Sequence, residues 1–193
     1  MARASNREQI LTKGLQVVHE RGFAGASVRD IVQAAGVPQG SFTNHFASKE
    51  AFGLEVIDRY FAAGQAMMQE TLLNDSEPPL ARLRAYMDAG MNALNRDSMR
   101  NGCLFGNFAA EVCEHSEAMR LRLLEVFAEV QARIAYCLAA AVKAGELPLG
   151  FDCDGIAGFI VASQQGANLM AKMQRNPAPV ERLTQVLFST ILR

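Results

Sequence analysis

Apolar residues recur three and four apart along almost the entire chain, the period of helices that bury one face. Ile10, Leu11, Leu15 and Val18 form the first stripe. Ser5 and Glu8 ahead of it have capping-box spacing, in which hydroxyl and carboxylate each satisfy a free amide of the first turn. Gly22 followed by Phe23 marks its end. A second short helix is expected from Ser27, its cap, with Val28, Ile31, Val32 and Ala35 inward, and Gly36 breaks it. A third is expected to start at Pro38, which needs no amide partner in a first turn. Ser48-Lys49-Glu50 then opens a long amphipathic helix bearing Phe52, Leu54, Val56, Ile57, Tyr60 and Phe61. Beyond a linker at Asn74 to Pro79, the pattern predicts a helix from Pro79 to about Asn95. Further helices are predicted from the turn at Arg100-Asn101-Gly102 to about His115, and from Ser116 to about Ala144. After a loop at Gly145 to Phe151, two more lie near 152–175 and 178–192. No segment alternates with the period of a strand, and no repeat of fixed length appears, so the fold class is all-α.

Residues 27–46 have the anatomy of a helix-turn-helix. Ala34 and Ala35 allow two backbones to approach, Gly36 can take the left-handed conformation of a tight turn, and Val37 would plug its interior. Phe42 and Phe46, four apart, can face the core together. That leaves Gln39, Ser41, Thr43, Asn44 and His45 outward. Gln and Asn can pair with both edge groups of adenine, Thr can offer its methyl to thymine, and Ser, Thr and His can reach phosphates. Lys49, at the start of the next helix, is placed for a phosphate. A helical hairpin with a merely polar face fits the same spacing.

Composition adds exclusions. Half of the 193 residues are hydrophobic and a fifth charged, as in a soluble protein with a real core. No apolar run approaches the roughly 18 residues of a membrane span. The start, Met1-Ala2-Arg3-Ala4-Ser5, has no apolar segment behind its charge, so no secretion signal is expected and the cytoplasm is the expected location. The net charge of −1 conceals an asymmetry: residues 1–50 hold six Lys/Arg (Arg3 among them) against four acids, the remainder thirteen against sixteen. A mildly basic head on an acidic body suits nucleic acid. Four cysteines without a signal peptide point to reduced thiols, and Cys103, Cys113, Cys137 and Cys153 lack zinc-ribbon spacing. His19, His45 and His115 add no ligand pattern, so neither a metal nor another cofactor is expected.

The run from Gly36 to Glu50, Gly-Val-Pro-Gln-Gly-Ser-Phe-Thr-Asn-His-Phe-Ala-Ser-Lys-Glu, resembles the recognition-helix signature of TetR-family repressors. Gly22-Phe23 and Ser27-Val28-Arg29-Asp30-Ile31 supply the matching context over the first quarter of the chain. The resemblance implies a DNA-binding head over residues 1–48 and a helical ligand-sensing and dimerisation domain over 49–193. The residues it assigns to the double-stranded DNA operator are Ser27, Arg29, Pro38, Gln39, Gly40, Ser41, Thr43, Asn44, His45 and Lys49. Two positions depart from the family. Thr43 stands where a tyrosine is usual and Gln39 where a basic residue is frequent, which implies modest affinity or a strong salt dependence.

Members of this family are homodimers whose last two helices pair in a four-helix bundle. The resemblance places Ile156, Phe159, Ile160, Ala167, Val180, Leu183, Val186, Leu187 and Ile191 there. It also implies an inducer pocket among the middle helices, for which Phe105, Phe108, Met119, Phe127, Met170 and Met173 are candidates. Residues 102–120 and 166–172 further resemble the NemR branch, repressors that sense reactive electrophiles and hypochlorous acid through a cysteine. The sensing thiol would be Cys103, and the lysine able to bond to its oxidised sulfur would be Lys172. A helix N-terminus beside Cys103 would favour the thiolate. Cys113, about 15 Å further along a continuous helix, is too far away to pair with it. Three other readings remain: a repressor released by a reversible apolar ligand with inert cysteines, a helical module that never touches DNA, and a cysteine-dependent enzyme using Cys103 and His115. No oxyanion loop, phosphate cradle or carboxylate pair accompanies the last.

Overall fold

The computed structural model describes residues 5–193; Arg3, counted among the basic residues of the head, lies outside them. The described residues form helices and turns with no strand: α1 (Asn6–Arg21), α2 (Val28–Ala35), α3 (Ser41–His45), α4 (Lys49–Glu70), α5 (Pro79–Asn95), α6 (Leu104–Val112), α7 (Glu117–Lys143), α8 (Cys153–Gln174) and α9 (Ala178–Val186). A π-helical turn, Leu187–Ile191, continues α9. None of these helices is long and apolar enough to cross a membrane.

Local chemistry explains where the helix ends differ from expectation. Ser5 accepts the Glu8 amide at 3.3 Å, but the reciprocal half of that capping box is not made, because the Glu8 carboxylate is engaged by Arg59. The complete box sits on α2. Ser27 Oγ accepts the Asp30 amide at 3.1 Å, and the Asp30 carboxylate accepts the Ser27 amide at 2.9 Å. Those bonds, with the Ser27 hydroxyl contributing most, hold the Asp30 carboxyl below the usual range. Pro38 does not open α3. It begins a turn in which its carbonyl accepts the Ser41 amide at 2.9 Å, and helical pairing starts only at Ser41.

Packing divides the chain into two units. One runs through Ala62 and takes in Leu104–Leu124; the other holds Ala63–Cys103 and Glu125–Arg193. The first therefore gathers more than the head expected over residues 1–48, since α6 and the beginnings of α4 and α7 pack with it. Its core contains Ile10, Val18, Ile31, Val32, Phe42, Phe46, Phe52, Val56 and Ile57, all buried. Phe42, Phe46 and Phe52 form a mutual cluster with ring centroids 5.3–5.5 Å apart.

In the second unit α5 starts at Pro79, and the Leu80 amide is capped at 2.8 Å by the Glu146 carboxylate. Arg82 is buried and paired with Asp75, which also accepts the Tyr136 hydroxyl at 2.9 Å. The apolar stripes of α8 and α9 divide. Ile160, Val180 and Leu187, expected at a subunit interface, are fully buried within their own chain, because the period that faces a partner also faces the monomer's interior. Phe159, Leu169, Met170, Met173 and Val186 remain 44–69% exposed. Phe52→Ala is expected to lower the stability of the protein by about 3–5 kcal/mol in denaturant unfolding, because it removes the ring on which Phe42 of α3 and Phe46 just after it rest.

Candidate DNA interface and thiol site

Between α2 and α3 the chain turns at Gly36, whose φ of 65° is left-handed and whose amide reaches the carbonyls of Gln33 and Val32. A side chain there would strain the turn. Phe42 and Phe46 point α3 into the core, so its opposite face is left to solvent. Arg29, Pro38, Gln39, Gly40, Thr43, Asn44 and His45 are exposed, as is Ser27. Ser41, named with them from sequence, is instead buried at 8% exposure. The Thr43 hydroxyl donates to the Gly40 carbonyl at 3.1 Å, which commits its proton and leaves the oxygen only as an acceptor. Arg21 is tied to Asp30 at 2.9 Å and Arg7 to Glu55 at 2.5 Å. Arg29 has no paired acid among the described residues.

Lys49, expected to contact a phosphate, is half-buried and already spends one of its donors within the chain. Its Nζ donates to the Phe23 carbonyl at 2.6 Å and lies 4.6 Å from the centroid of the Phe23 ring. Burial lowers its pKa, and the Glu111 carboxylate opposes that shift. Glu111, on α6, accepts the Ala24 amide at 2.8 Å. Nothing in the local pattern singles it out, because its contacts lie 87 residues away.

Cys103 sits immediately before α6, half-buried. The loop leading to it holds Ser98, Met99 and Gly102 at φ of 57°, 62° and 67°, the first two non-glycine residues in a conformation that costs about 1–3 kcal/mol each. Three anchors hold it. The Asp97 carboxylate accepts the amides of Arg100 and Asn101 at 3.0 Å each. Met99 is buried in a cluster with Ala171 and Val180. Arg175 donates to the Arg100 carbonyl at 2.9 Å. Lys172 lies against the loop: a Cβ on Gly102 would fall 3.0 Å from its Cδ, and the φ of 67° already disfavours a side chain there. Tyr86 of α5, which the sequence did not mark, is buried, and its phenol is pushed well above its ordinary pKa by burial and then by the charge of Cys103. The other thiols differ: burial pushes Cys137 up to about 11, while Cys153 is raised by burial and by Asp154 and Asp152.

The six candidate pocket residues fall into two groups. Phe105, Phe108 and Met119 are buried in the first unit. Of those in the second, Phe127 is half-buried, whereas Met170 and Met173 are 44% and 69% exposed. An open groove of about 380 Å³ beside α5 and α9 is lined instead by Arg84, Asp88, Met91, Glu181, Thr184 and Phe188 among others. No group of three or more potential metal ligands is present among the described residues.

Residues 10–56 match the family described as bacterial regulatory proteins, tetR family, and residues 79–187 match the tetracyclin repressor-like C-terminal domain. The chain is 38% identical over 192 residues to the HTH-type transcriptional repressor DhaR of Mycobacterium sp. strain GP1, covering 100% of this chain and 95% of that one. The crystal structure of a regulatory protein TetR from Rhodobacter sphaeroides superposes with a TM-score of 0.90 at 31% identity, over 95% of this chain and 97% of the other. The reduced form of NemR from E. coli does so with a TM-score of 0.84 at 31% identity, over 93% of each. With the exposed helix-turn-helix face and these likenesses along its whole length, the chain belongs to the TetR family of DNA-binding transcriptional regulators.

Proposed function

We propose that this regulator is a cytoplasmic repressor that binds a near-palindromic operator as a homodimer and is released when Cys103 is modified by a reactive electrophile. The observation that carries the DNA reading is the exposed polar surface of α3 and the turn before it, Gln39, Thr43, Asn44 and His45, opposite a face locked into an aromatic core. The exposed apolar residues of α8 and α9 support pairing of two copies, which would set their recognition helices about 34–36 Å apart, one turn of DNA.

Two features support the switch: a half-buried thiol just ahead of α6, and Lys172 packed against Gly102, the residue before it. The likeness to NemR, crystallised in a reduced form, supports a thiol that changes state. A Cys103 thiolate adds to the electron-poor carbon of an activated alkene; the S–C bond forms as the C=C electron pair takes a proton from solvent. The adduct adds bulk at the start of α6, next to a loop held by three anchors, and displaces the residues around it. Release then depends on differential affinity between two states, for which a coupling of about 1–3 kcal/mol is typical.

Asn44→Ala is expected to weaken binding to an operator recovered by site selection by roughly 5- to 150-fold, with binding to random duplex unchanged. Equal losses on both would remove Asn44 from base reading. N-ethylmaleimide is expected to release the wild type from that operator and to leave Cys103→Ser bound; release of both would place the switch elsewhere. Met173→Glu is expected to shift sedimentation toward monomer and to abolish operator binding at the same time, whereas an unchanged dimer would move the interface away from the end of α8.

A further inference from the structure

The turn between α1 and α2 is fastened to α6 by one carboxylate. Glu111 Oε2 accepts the Ala24 amide at 2.8 Å, and Oε1 occupies the space where a Cβ on Gly22 would fall within 2.6 Å. Between them, the Phe23 carbonyl takes the Lys49 ammonium at 2.6 Å, and the Phe23 ring meets that of Phe108 with centroids 5.3 Å apart. Phe23 and Ala24 are thus held by two residues of α6 and the first residue of α4, with the Glu111 carboxylate lying over Gly22. The helix-turn-helix does not need this to fold. Its own phenylalanine cluster packs α3, Ser27 and Asp30 cap α2, and Ala24 is exposed, so water could satisfy its amide.

What the arrangement does provide is a linkage. A carboxylate that accepts a backbone amide makes a charge-assisted hydrogen bond stronger than a neutral one, and its charge also acts at longer range on the half-buried Lys49 ammonium. α6 is nine residues long, about 13 Å of rigid rod, and begins at the residue after Cys103. We propose that Glu111 is a positioning residue for DNA recognition, coupling the α1–α2 turn to α6 so that the helix-turn-helix follows α6 when α6 moves. The proposal rests on the operator-binding reading above; Cys103 enters only as what would move α6.

The test uses the full chain as wild type, Glu111→Ala and Glu111→Gln, the last keeping an acceptor for the Ala24 amide without the charge that faces Lys49. Glu111→Ala is expected to lose about tenfold in affinity for the selected operator and less than about twofold for random duplex at the same salt, with Glu111→Gln in between. Amide exchange is expected to quicken at Gly22–Ala24 while α5 stays protected. Operator affinity within about twofold of wild type overturns the proposal whatever the exchange shows, and so does an equal loss on both duplexes accompanied by a lower Tm, which marks a merely structural residue. Should Glu111→Ala fail to fold, Glu111→Gln is judged by the same outcomes. If wild type selects no operator, the reading of function fails separately, and exchange decides alone: quickening confined to the turn upholds the linkage, and unchanged exchange overturns it.

Discussion

A five-residue helix cannot hold itself together in water: it closes too few hydrogen bonds to repay the ordering of its backbone. α3 is such a helix, and the polar face offered to DNA exists only because Phe42 and Phe46 are driven into contact with Phe52. The rest of the head is arranged around that burial. α4 supplies Phe52 from its first turn, so the helix that receives α3 is also the one that leaves the head. The left-handed turn at Gly36 and the double cap of Ser27 and Asp30 set the angle at which α2 delivers the chain to that cluster. Hydrophobic burial thus positions hydrogen-bonding groups that take no part in it.

Much of this was legible in the chain. Helical periodicity located the helices, and punctuation by Ser27, Gly36 and Pro79 fixed several ends, because these residues act through their own backbone or their immediate neighbours. Misplaced features share a cause. Ser5 and Glu8 have the spacing of a capping box, but Arg59, fifty-one residues on, takes the carboxylate. Ser41 has the composition of a surface residue and the position of a buried one. The bond of Lys49 to the Phe23 carbonyl, twenty-six residues away, was likewise beyond local reading. Ile160, Val180 and Leu187 show that a stripe records burial without recording by whom. Tyr86 and Glu111 carried no local signal, since their roles arise from chain segments distant in sequence.

The loop before Cys103 is built against its own preference. Ser98 and Met99 adopt a backbone that residues with a Cβ avoid, and they stay there because the Asp97 carboxylate, the buried Met99 side chain and Arg175 overdetermine the path. Loss of any one of these anchors would free Ser98 and Met99 to leave a backbone that residues with a Cβ avoid. The other three cysteines lie outside this loop, and two of them have thiols raised above their ordinary pKa, where the reactive thiolate is scarce at neutral pH.

The brevity of α3 also limits how much text it can read. Four exposed side chains, Gln39, Thr43, Asn44 and His45, can discriminate only a handful of base pairs. A word that short recurs by chance many times among the roughly 10⁶ or more positions of a genome, each competing for the same protein. No refinement of those four contacts makes such a word unique. Uniqueness has to come from reading two words at a fixed interval, so the address is written in the distance between them as much as in their letters.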